Sequence, residues 1–458
     1  MAMGRRKRQS QEELWIATSD IPKPASHPFF QKLNEILRDA HFDGQVEKLA
    51  EPYYADTMGR PSMPPGVYVR MLLVGYFEGI ESERGIAWRC ADSLALRRFL
   101  GYALTERVPD HSTLSGTRRR LPKEFHDAVF ALVMKILAER ELVKGNTLAV
   151  DATTMEANAA LRSIVRRDTG QQYRKYVEQL AKEAGLENPT AGEVAQFDRK
   201  RKKKVSNDEW VNPNDPDAKI AKMKDGRTHM AYKAEHVVDV ETGALIAAEI
   251  HHADEGDTTT GPETLGEAAQ ELADLMDRAT DFDVTGADVI GDKGYHSGPW
   301  LTELTASGWR TYIAEPNRGR RRWVDSHGRL SPSKELEREA VHGNRRRIRT
   351  ERGKRLHRGR GEVLERSFAH TMDTGGMRRT WLRGLENVGK RYAVHVAGFN
   401  LSIVMRVLFG RGKPRYAADL LLRLVFGLFR TLFGKLVFRR ATRIDFRPDP
   451  HLARISCG

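Results

Sequence analysis

The chain has 458 residues, more than one hydrophobic core usually supports, so its length predicts two or three domains. Its formal net charge of +14 favours a polyanionic partner such as nucleic acid, because each Lys or Arg set against a phosphate releases a condensed counterion; a basic surface kept for solubility is the alternative. Cysteine occurs only at Cys90 and Cys457, which excludes a disulfide framework or a cysteine-rich zinc site and predicts a cytosolic, reducing setting.

The N-terminal third of the sequence is predominantly helical in pattern. Residues 1 to 24 are basic, and their start lacks the apolar core of a signal peptide, so we interpret them as a flexible N-terminus. Residues 25 to 140 predict a helical domain. Pro64-Pro65 suits a helix start ahead of the apolar run Val67–Phe77, and apolar positions from Ile86 to Phe99 recur at helical spacing.

A basic triplet ends this region. Asp110 predicts the capped start of another helix, which carries Arg118, Arg119 and Arg120. Short helices separated by turns and followed by a basic triplet fit a helix-turn-helix-like DNA-binding domain. A helical bundle with a solvated basic face fits the same residues equally well.

From Leu148 onward the pattern changes to strands. Leu148–Thr153 is the first, Met230–Val240 and Ala244–Ile250 predict a hairpin, and Val289–Gly291 is another short strand. A helix from about Pro262 to Arg278, with apolar residues along one side, lies between the hairpin and the last of these strands. The predicted order is therefore strand, hairpin, helix, strand.

Two charged segments interrupt this order. Residues 158 to 225 predict an insertion that is helical near Tyr173–Ala184, loose around Asn207–Asp217, and either grips phosphates or is merely solvated. A second basic block covers residues 318 to 360 and extends to Arg366, with arginine triplets at 320–322 and 345–347. Such arginines would position a phosphate backbone without reading its sequence.

The C-terminal part, residues 411 to 458, includes the strongly apolar stretch Leu420–Phe438. Three charges interrupt the stretch, at Arg423, Arg430 and Lys435. A membrane-spanning helix needs about 20 predominantly apolar residues with few charges. We therefore predict an amphipathic helix that packs on the body of the protein or on a partner, and no membrane association.

Candidate metal ligands stand where two of the apolar strands end. Asp151 follows Leu148-Ala149-Val150 and Asp292 follows Val289-Ile290-Gly291. A carboxylate buried inside a strand costs several kcal/mol unless it is paired, whereas at strand ends two carboxylates can share Mg²⁺ with a substrate phosphate. Glu365 is the third candidate, and Glu362, one helical turn away on the same face, is its rival. Taken singly, these residues could instead be a strand-end cap, a turn former and one half of a surface ion pair.

These segments, in this order, resemble bacterial insertion-sequence transposases of the DDE type, whose catalytic domain has a ribonuclease-H-like fold. The resemblance covers most of the chain, and its collinear order carries more weight than any single motif. The matching runs are Gly59–Pro65, Val108–Leu114, Asp292-Lys293-Gly294-Tyr295, Val363–His370 and Gly398–Leu401.

The resemblance implies an α/β fold: a ribonuclease-H-like mixed sheet with flanking helices, preceded by an all-α N-terminal domain and followed by a helical C-terminal region. Residues 25 to 140 would bind DNA, residues 141 to 410 would form the catalytic domain, and residues 411 to 458 would follow it. In this fold Asp151 and Asp292 lie on neighbouring central strands.

The implied site is a metal-binding triad. Asp151 would bridge two Mg²⁺ ions, with Asp292 binding one and Glu365 the other, and Mn²⁺ should substitute for Mg²⁺. The sequence departs from the family pattern around the glutamate, because Arg358, Gly361 and Met372 stand where many members carry Tyr, Arg and Lys.

Further residues are implied to contact DNA. The sequence Glu365-Arg-Ser-Phe-Ala-His370 matches a subgroup of the family, in which Arg366 and His370 would supply phosphate contacts. Lys293, Tyr295 and His296 would approach the cleaved strand. Trp300 could stack on a displaced base, although a buried core position is the preferred interpretation.

The implied function is that of a transposase that binds the terminal inverted repeats of an insertion sequence, cleaves double-stranded DNA there with divalent metal and joins the ends to target DNA. Because two ends must be handled together, a homodimer on DNA is expected, in the bacterial cytoplasm and associated with the nucleoid. Two alternatives remain: a related Mg²⁺-dependent nuclease without strand transfer, and an inactive DNA-binding regulator descended from a transposase.

Overall fold

The computed structural model describes residues 28–55, 62–201, 205–223, 226–276, 286–317, 319, 321–324 and 327–414. The predicted helix at 420–438, Arg320, Lys202–Lys204 and the predicted helix end at Arg278 lie outside these residues.

In the described part of the chain, seven α-helices precede the first strand. They are α1 (Pro28–Asp39), α2 (Phe42–Ala50), α3 (Pro65–Glu78), α4 (Glu83–Asp92), α5 (Leu94–Leu100), α6 (His111–Arg120) and α7 (Lys123–Ala138). Pro65 occupies the first turn of α3, where its missing N–H costs nothing. The predicted apolar stretch from Ile86 to Phe99 is divided between α4 and α5 at Ser93, whose side chain caps α5. Asp110 caps α6 as predicted, because its carboxylate accepts a hydrogen bond from the Thr113 amide at 2.9 Å.

The remaining α-helices and strands of the described residues form a mixed α/β region. They are β1 (Thr147–Glu156), β2 (Val165–Arg166), α8 (Tyr173–Glu183), α9 (Ala191–Lys200), β3 (Trp210–Val211), β4 (Lys219–Lys222), β5 (Thr228–Asp239), β6 (Leu245–His252), α10 (Asp257–Met276), β7 (Asp288–Gly291), α11 (Gly298–Ala306), β8 (Arg310–Ile313), α12 (Pro332–Arg349), α13 (Glu351–Phe368) and α14 (Leu385–Phe409), with a π-helical turn, Ala369–Asp373, after α13.

The central sheet has β1 in its middle. On one side β1 pairs antiparallel with β5, whose outer edge pairs with β6 and, nearer its start, with β4. On the other side β1 pairs parallel with β7, and β7 pairs parallel with β8. The path β6, β5, β1, β7, β8, with β5 running against the others, confirms the predicted ribonuclease-H-like mixed sheet.

The predicted hairpin is confirmed as β5 and β6. Gly243, in the connection, has a φ of 78°, a left-handed conformation that costs glycine little. The Asp239 carboxylate satisfies the backbone of this corner, because it accepts hydrogen bonds from the Glu241 amide at 2.9 Å and the Lys144 amide at 2.7 Å. The hairpin is therefore tied to the segment that leads into β1.

The insertion between β1 and β5 is more ordered than predicted. Its helix α8 is confirmed, but the stretch predicted to be loose carries β3, which pairs with β2. Trp210 of β3 is buried, with the rings of Tyr173 and Tyr176 against it at 5.1 and 5.3 Å. The prediction of a loose segment is therefore wrong, because Trp210 belongs to the hydrophobic core of the protein and the two tyrosine rings pack against it.

Helix α14 joins the N-terminal helices to the sheet, since it packs against α3, α7 and β6. Its length and apolar composition would allow it to cross a membrane, but 78% of its most apolar window is buried inside the protein. Gly398 accommodates the Tyr76 ring, which would lie 2.7 Å from an added Cβ. The Asn400 side chain bonds both the amide and the carbonyl of Leu245, at 3.0 and 2.8 Å. The late Gly398–Leu401 motif thus serves core packing.

Candidate active site

Asp151 and Asp292 lie at the same edge of the sheet. The parallel register pairs Thr147 with Asp288 and Ala149 with Ile290, which, continued by two residues, brings Asp151 level with Asp292. In-register residues on neighbouring parallel strands point to the same face. Both residues are partly exposed. Asp292 directly follows the end of β7, whereas β1 continues to Glu156 because its pairing with β5 continues. The prediction that Asp151 stands where its strand ends is therefore wrong: Asp151 lies inside β1, just beyond the part that pairs with β7.

The local contacts of the two aspartates differ. The Oδ1 atom of Asp151 accepts from the Ala152 amide at 2.9 Å, and its Oδ2 atom accepts from Nη1 of Arg360 at 3.2 Å. The Oδ1 atom of Asp292 accepts from the Gly294 amide at 2.8 Å, which closes a tight turn. Asp151 therefore has a cationic neighbour from α13, and Asp292 is held by its own turn.

The face that carries Asp151 is covered by α13 and α14. Asp151 pairs across the ladder with His236, so the two side chains lie on one face. The His236 ring contacts Oγ of Ser367 at 2.9 Å and Oη of Tyr392 at 2.6 Å, and it stacks on Phe368. Burial lowers the pKa of His236 to about 3, so the ring is neutral and acts as a packing and hydrogen-bonding group.

Helix α13, which carries Glu365, passes over this face of the sheet. Near its start Arg352 binds the buried Asp288 at 2.6 Å, and further along Arg360 reaches Asp151. Glu365 and Glu362 are both exposed, and Glu362 forms an ion pair with Arg366. Among the residues that the structure describes, no three His, Cys, Asp or Glu side chains are grouped closely enough to hold a metal ion. The fold thus brings the two aspartates together and places Glu365 on the covering helix, without closing a three-carboxylate cluster.

The donor set at this edge nevertheless suits a hard divalent cation. Asp151 on β1 and Asp292 directly after the neighbouring strand β7 are both partly exposed, and carboxylate oxygens are the ligands that Mg²⁺ prefers. The adjacent histidines of β6 point to opposite faces of the sheet: His251 is buried and contacts Thr264 at 3.0 Å, whereas His252 contacts the Asp217 carbonyl at 2.8 Å.

Tyr295 and His296, which were predicted to approach DNA, are buried instead. Tyr295 is fully buried, and its hydroxyl donates to Glu235 at 2.6 Å. Burial first, and then the charge of Glu235, raises the pKa of Tyr295 well above its usual value. His296 is also buried and contacts Arg321 at 3.1 Å. The prediction of DNA contacts is corrected for both residues, because their side chains pack inside the protein, while Lys293 is exposed.

Trp300 follows on α11 and lies in the core. It is 4% exposed, with the Tyr295 ring 6.0 Å away. The interpretation as a core tryptophan is confirmed, and stacking on a displaced base does not fit this position.

The basic triplet of α6 also needs a correction. Arg118 is 6% exposed, donates to Glu83 at 2.8 Å and contacts Asn387 of α14. It is therefore a structural link between helices and not a DNA contact. Arg119 and Arg120 are exposed, and the Arg120 guanidinium lies over the Tyr54 ring at 5.0 Å.

Of the two predicted DNA contacts that follow Glu365, Arg366 is a solvent-exposed cation and His370 is not. Arg366 is about half exposed beside Glu362. His370 is partly buried in the π-helical turn, and burial lowers its pKa to about 4. At neutral pH, His370 could meet a phosphate only as a neutral hydrogen-bond donor.

Most described arginines of the two predicted triplets in the basic block are engaged within the protein. Arg345 donates to both carboxylate oxygens of Glu315, at 2.7 and 2.8 Å, and Arg347 bonds Thr311. Arg346 is exposed between them. Arg345 and Arg347 fix α12 to the loop and strand beside it. Within this triplet, Arg346 is therefore the arginine that is left as a candidate DNA contact.

The residue that the sequence reasoning did not single out is Arg360. It lies at the end of the basic block, and its guanidinium forms an ion pair with Asp151. Its position five residues before Glu365, inside a helical basic run, was the available signal.

The order and directions of the strands, with a helix over the face that carries Asp151, define a ribonuclease-H-like fold. Residues 19–120 match a family described as Transposase domain (DUF772), and residues 144–397 match a family described as Transposase DDE domain. The second match covers more than half of the chain, so the protein belongs to the DDE transposase family. No curated protein matches the chain.

Proposed function

We propose that this protein is the transposase of an insertion sequence, which binds the element's terminal inverted repeats and catalyses metal-dependent DNA cleavage and strand transfer. The observation that supports the proposal most is the in-register placement of Asp151 and Asp292 at one sheet edge. We assign end recognition to the helical residues 25 to 140 and catalysis to residues 141 to 410.

The proposed metal ligands are Asp151, Asp292 and Glu365. A bound pair of Mg²⁺ or Mn²⁺ ions would supply an activated water or 3′-hydroxyl on one side of a phosphodiester and would stabilise the leaving oxygen on the other. Nη1 of Arg360 donates a hydrogen bond to Oδ2 of Asp151 at 3.2 Å. We expect this contact to break when Asp151 binds metal, which frees the guanidinium for a nearby phosphate.

The proposed DNA contacts are now restricted to exposed cations. Arg119 and Arg120 lie on α6, Lys293 follows Asp292 directly, and Arg366 lies on α13 one residue after Glu365. Phosphate contacts of this kind position the duplex. We expect a homodimer on DNA, because both ends of the element are processed together, and action at the bacterial nucleoid in the cytoplasm.

The third carboxylate can be identified with a matched pair of substitutions. Glu365→Gln should lower metal-dependent nicking on the order of a hundredfold, because an amide is a weak ligand for a hard cation. Glu362→Gln should retain nicking, since Glu362 is an exposed partner of Arg366. Rates of nicking of a labelled end duplex at fixed Mg²⁺ would be compared.

Both glutamates lie exposed on the same helix and receive the same substitution, so each variant controls for the other. The opposite result, with Glu362→Gln inactive and Glu365→Gln active, would move the ligand one turn along α13.

Strand transfer separates the proposal from a simple nuclease. Pre-cut element ends with free 3′-hydroxyls are incubated with a supercoiled target plasmid and Mg²⁺. The proposal predicts covalent joint products that run as relaxed and linear target carrying the labelled end. Nicked ends without any joint product would favour the metal-dependent nuclease.

The inactive regulator predicts a third pattern. Binding of end DNA would persist, but calorimetry would detect no Mg²⁺ or Mn²⁺ binding in the presence of DNA, and neither nicking nor joining would occur. The retained carboxylates at 151, 292 and 365 argue against this alternative.

A further inference from the structure

A buried charged network lies on the face of the sheet opposite Asp151. Glu235 of β5 is fully buried and accepts hydrogen bonds from the hydroxyls of Thr260 and Thr264, at 3.0 and 2.5 Å. Lys233, two residues earlier and so on the same face, is 5% exposed and lies 3.5 Å from Glu235. These residues pack beneath α10, whereas His236 and Asp151 face α13 and α14.

The network holds the turn after Asp292 at its far end. The Tyr295 hydroxyl donates to Glu235 at 2.6 Å. Its ring packs against bare backbone of α10, because a Cβ added at Gly261 would lie 2.7 Å from the ring. Tyr295 is three residues after Asp292, so this hydrogen bond fixes the far end of the turn to the face of the sheet under α10, while Asp292 itself lies at the end of β7.

A second branch reaches the same turn from Lys233. The Lys233 ammonium lies 2.6 Å from Oδ1 of Asp257, at the start of α10. A Cβ at Gly294 would lie 2.1 Å from Oδ2 of Asp257 and 3.1 Å from Oδ1 of Asp292. Gly294 therefore leaves room for Asp257 beside Asp292, and Lys233 offsets the negative charge that Asp257 brings to this place.

Packing alone does not explain this arrangement. A buried ion pair is commonly no more stabilising than apolar side chains of similar volume, because desolvation of the charges is costly. Here one arm of the network, through Tyr295, ends on the segment from Asp292 to Tyr295, and another, through Asp257, ends beside Gly294 of the same segment. The other contacts of Glu235 go to α10 and to His251 of β6. Ligands of a metal are generally oriented by such outer hydrogen bonds.

We propose that Glu235 and Lys233 are positioning residues that, through Tyr295 and Asp257, fix the turn carrying Asp292 level with Asp151. The inference rests on the proposed function, because it assumes that Asp292 is a metal ligand. It assigns Tyr295 a role within the protein in place of the DNA contact expected from sequence.

Tyr295→Phe tests this role, because it removes one hydroxyl and keeps the packed ring. We expect Mn²⁺ affinity, measured by electron paramagnetic resonance without DNA, to fall about tenfold, as for other groups that orient metal ligands. Hydrogen exchange of amides 293 to 296 should become faster. Cleavage at low Mn²⁺ should fall by a similar factor and recover at saturating Mn²⁺, while the KM for end DNA stays unchanged.

Tyr232→Phe is the matched control. Tyr232 is equally buried, and its hydroxyl donates to the buried Asp215 at the same 2.6 Å, away from the Asp292 turn. This variant should leave Mn²⁺ affinity and exchange at 293 to 296 unchanged. An equal loss in both variants would show a general effect of a lost buried hydrogen bond and would overturn the inference.

Asp292→Asn, measured in parallel, separates the two claims. If Asp292→Asn abolishes Mn²⁺-dependent cleavage but Tyr295→Phe matches the wild type in Mn²⁺ affinity and exchange, the positioning role is wrong and the proposed function stands. If Asp292→Asn retains full Mn²⁺ binding and cleavage, the proposed function fails, and the positioning role fails with it.

Discussion

Asp151→Asn and Asp292→Asn are each expected to lower metal-dependent cleavage of end DNA on the order of a thousandfold, because the loss of a carboxylate ligand removes several kcal/mol of transition-state stabilisation. The amide keeps the shape of the side chain, and both residues are partly exposed. Folding and binding of end DNA should therefore persist. The measurements are nicking rates at fixed Mg²⁺ and gel-shift titrations of the same duplex.

A third aspartate supplies the control. Asp274 is exposed on α10, where it accepts a hydrogen bond from Gln270. Asp274→Asn should cleave at the wild-type rate, which would show that an Asp-to-Asn change is not harmful in itself. Undiminished cleavage in Asp151→Asn or Asp292→Asn would remove the proposed chemistry.

Arg118→Ala is expected to destabilise the protein by about 3 kcal/mol, because removing one member of a buried ion pair leaves the other charge uncompensated. The Glu83 side chain, which is only 14% exposed, would lose its guanidinium, and the contact with Asn387 of α14 would also be lost. Urea unfolding of the variant and the wild type measures the difference.

Arg119→Ala is the natural comparison on the same helix, since Arg119 is exposed. It should leave unfolding unchanged, weaken binding of end DNA, and reduce the slope of log affinity against log salt by about one. A normal unfolding curve for Arg118→Ala together with lost DNA binding would reverse the structural assignment of Arg118.

Four of the six strands of the central sheet, β1, β5, β6 and β7, were predictable because each contains an apolar run bounded by turn signals, whereas β4 and β8 were not predicted. The hairpin and the parallel strand before Asp292 appear in the structure close to their predicted bounds. The prediction that Asp151 and Asp292 belong to neighbouring strands followed from the resemblance, since no local pattern relates two residues so far apart in the chain.

The direction of individual side chains was less predictable. Tyr295 and His296 follow a strand end, where no repeating pattern shows which side of a turn is buried. Arg118 did carry a signal, because with Leu114 and Leu121 it continues the buried face of α6 at intervals of four and three residues. Basic residues in a triplet were thus treated alike, although the helix gives them different surroundings.

Long-range polar partners were not predictable at all. Glu235 and Lys233 occupy a strand whose apolar neighbours suggest only burial, and their partners come from α10 and from the turn after Asp292. The Arg360 contact with Asp151 likewise depends on how α13 crosses the sheet. Such contacts are decided by tertiary packing, which a single sequence does not encode in any local pattern.

The most direct test of the two-aspartate site is anomalous diffraction from crystals of the wild-type protein grown with Mn²⁺ and end DNA. We expect manganese between the carboxylates of Asp151 and Asp292, with Arg360 withdrawn from Asp151 toward a phosphate. Manganese absent from this edge of the sheet, with Arg360 still bound to Asp151, would contradict it.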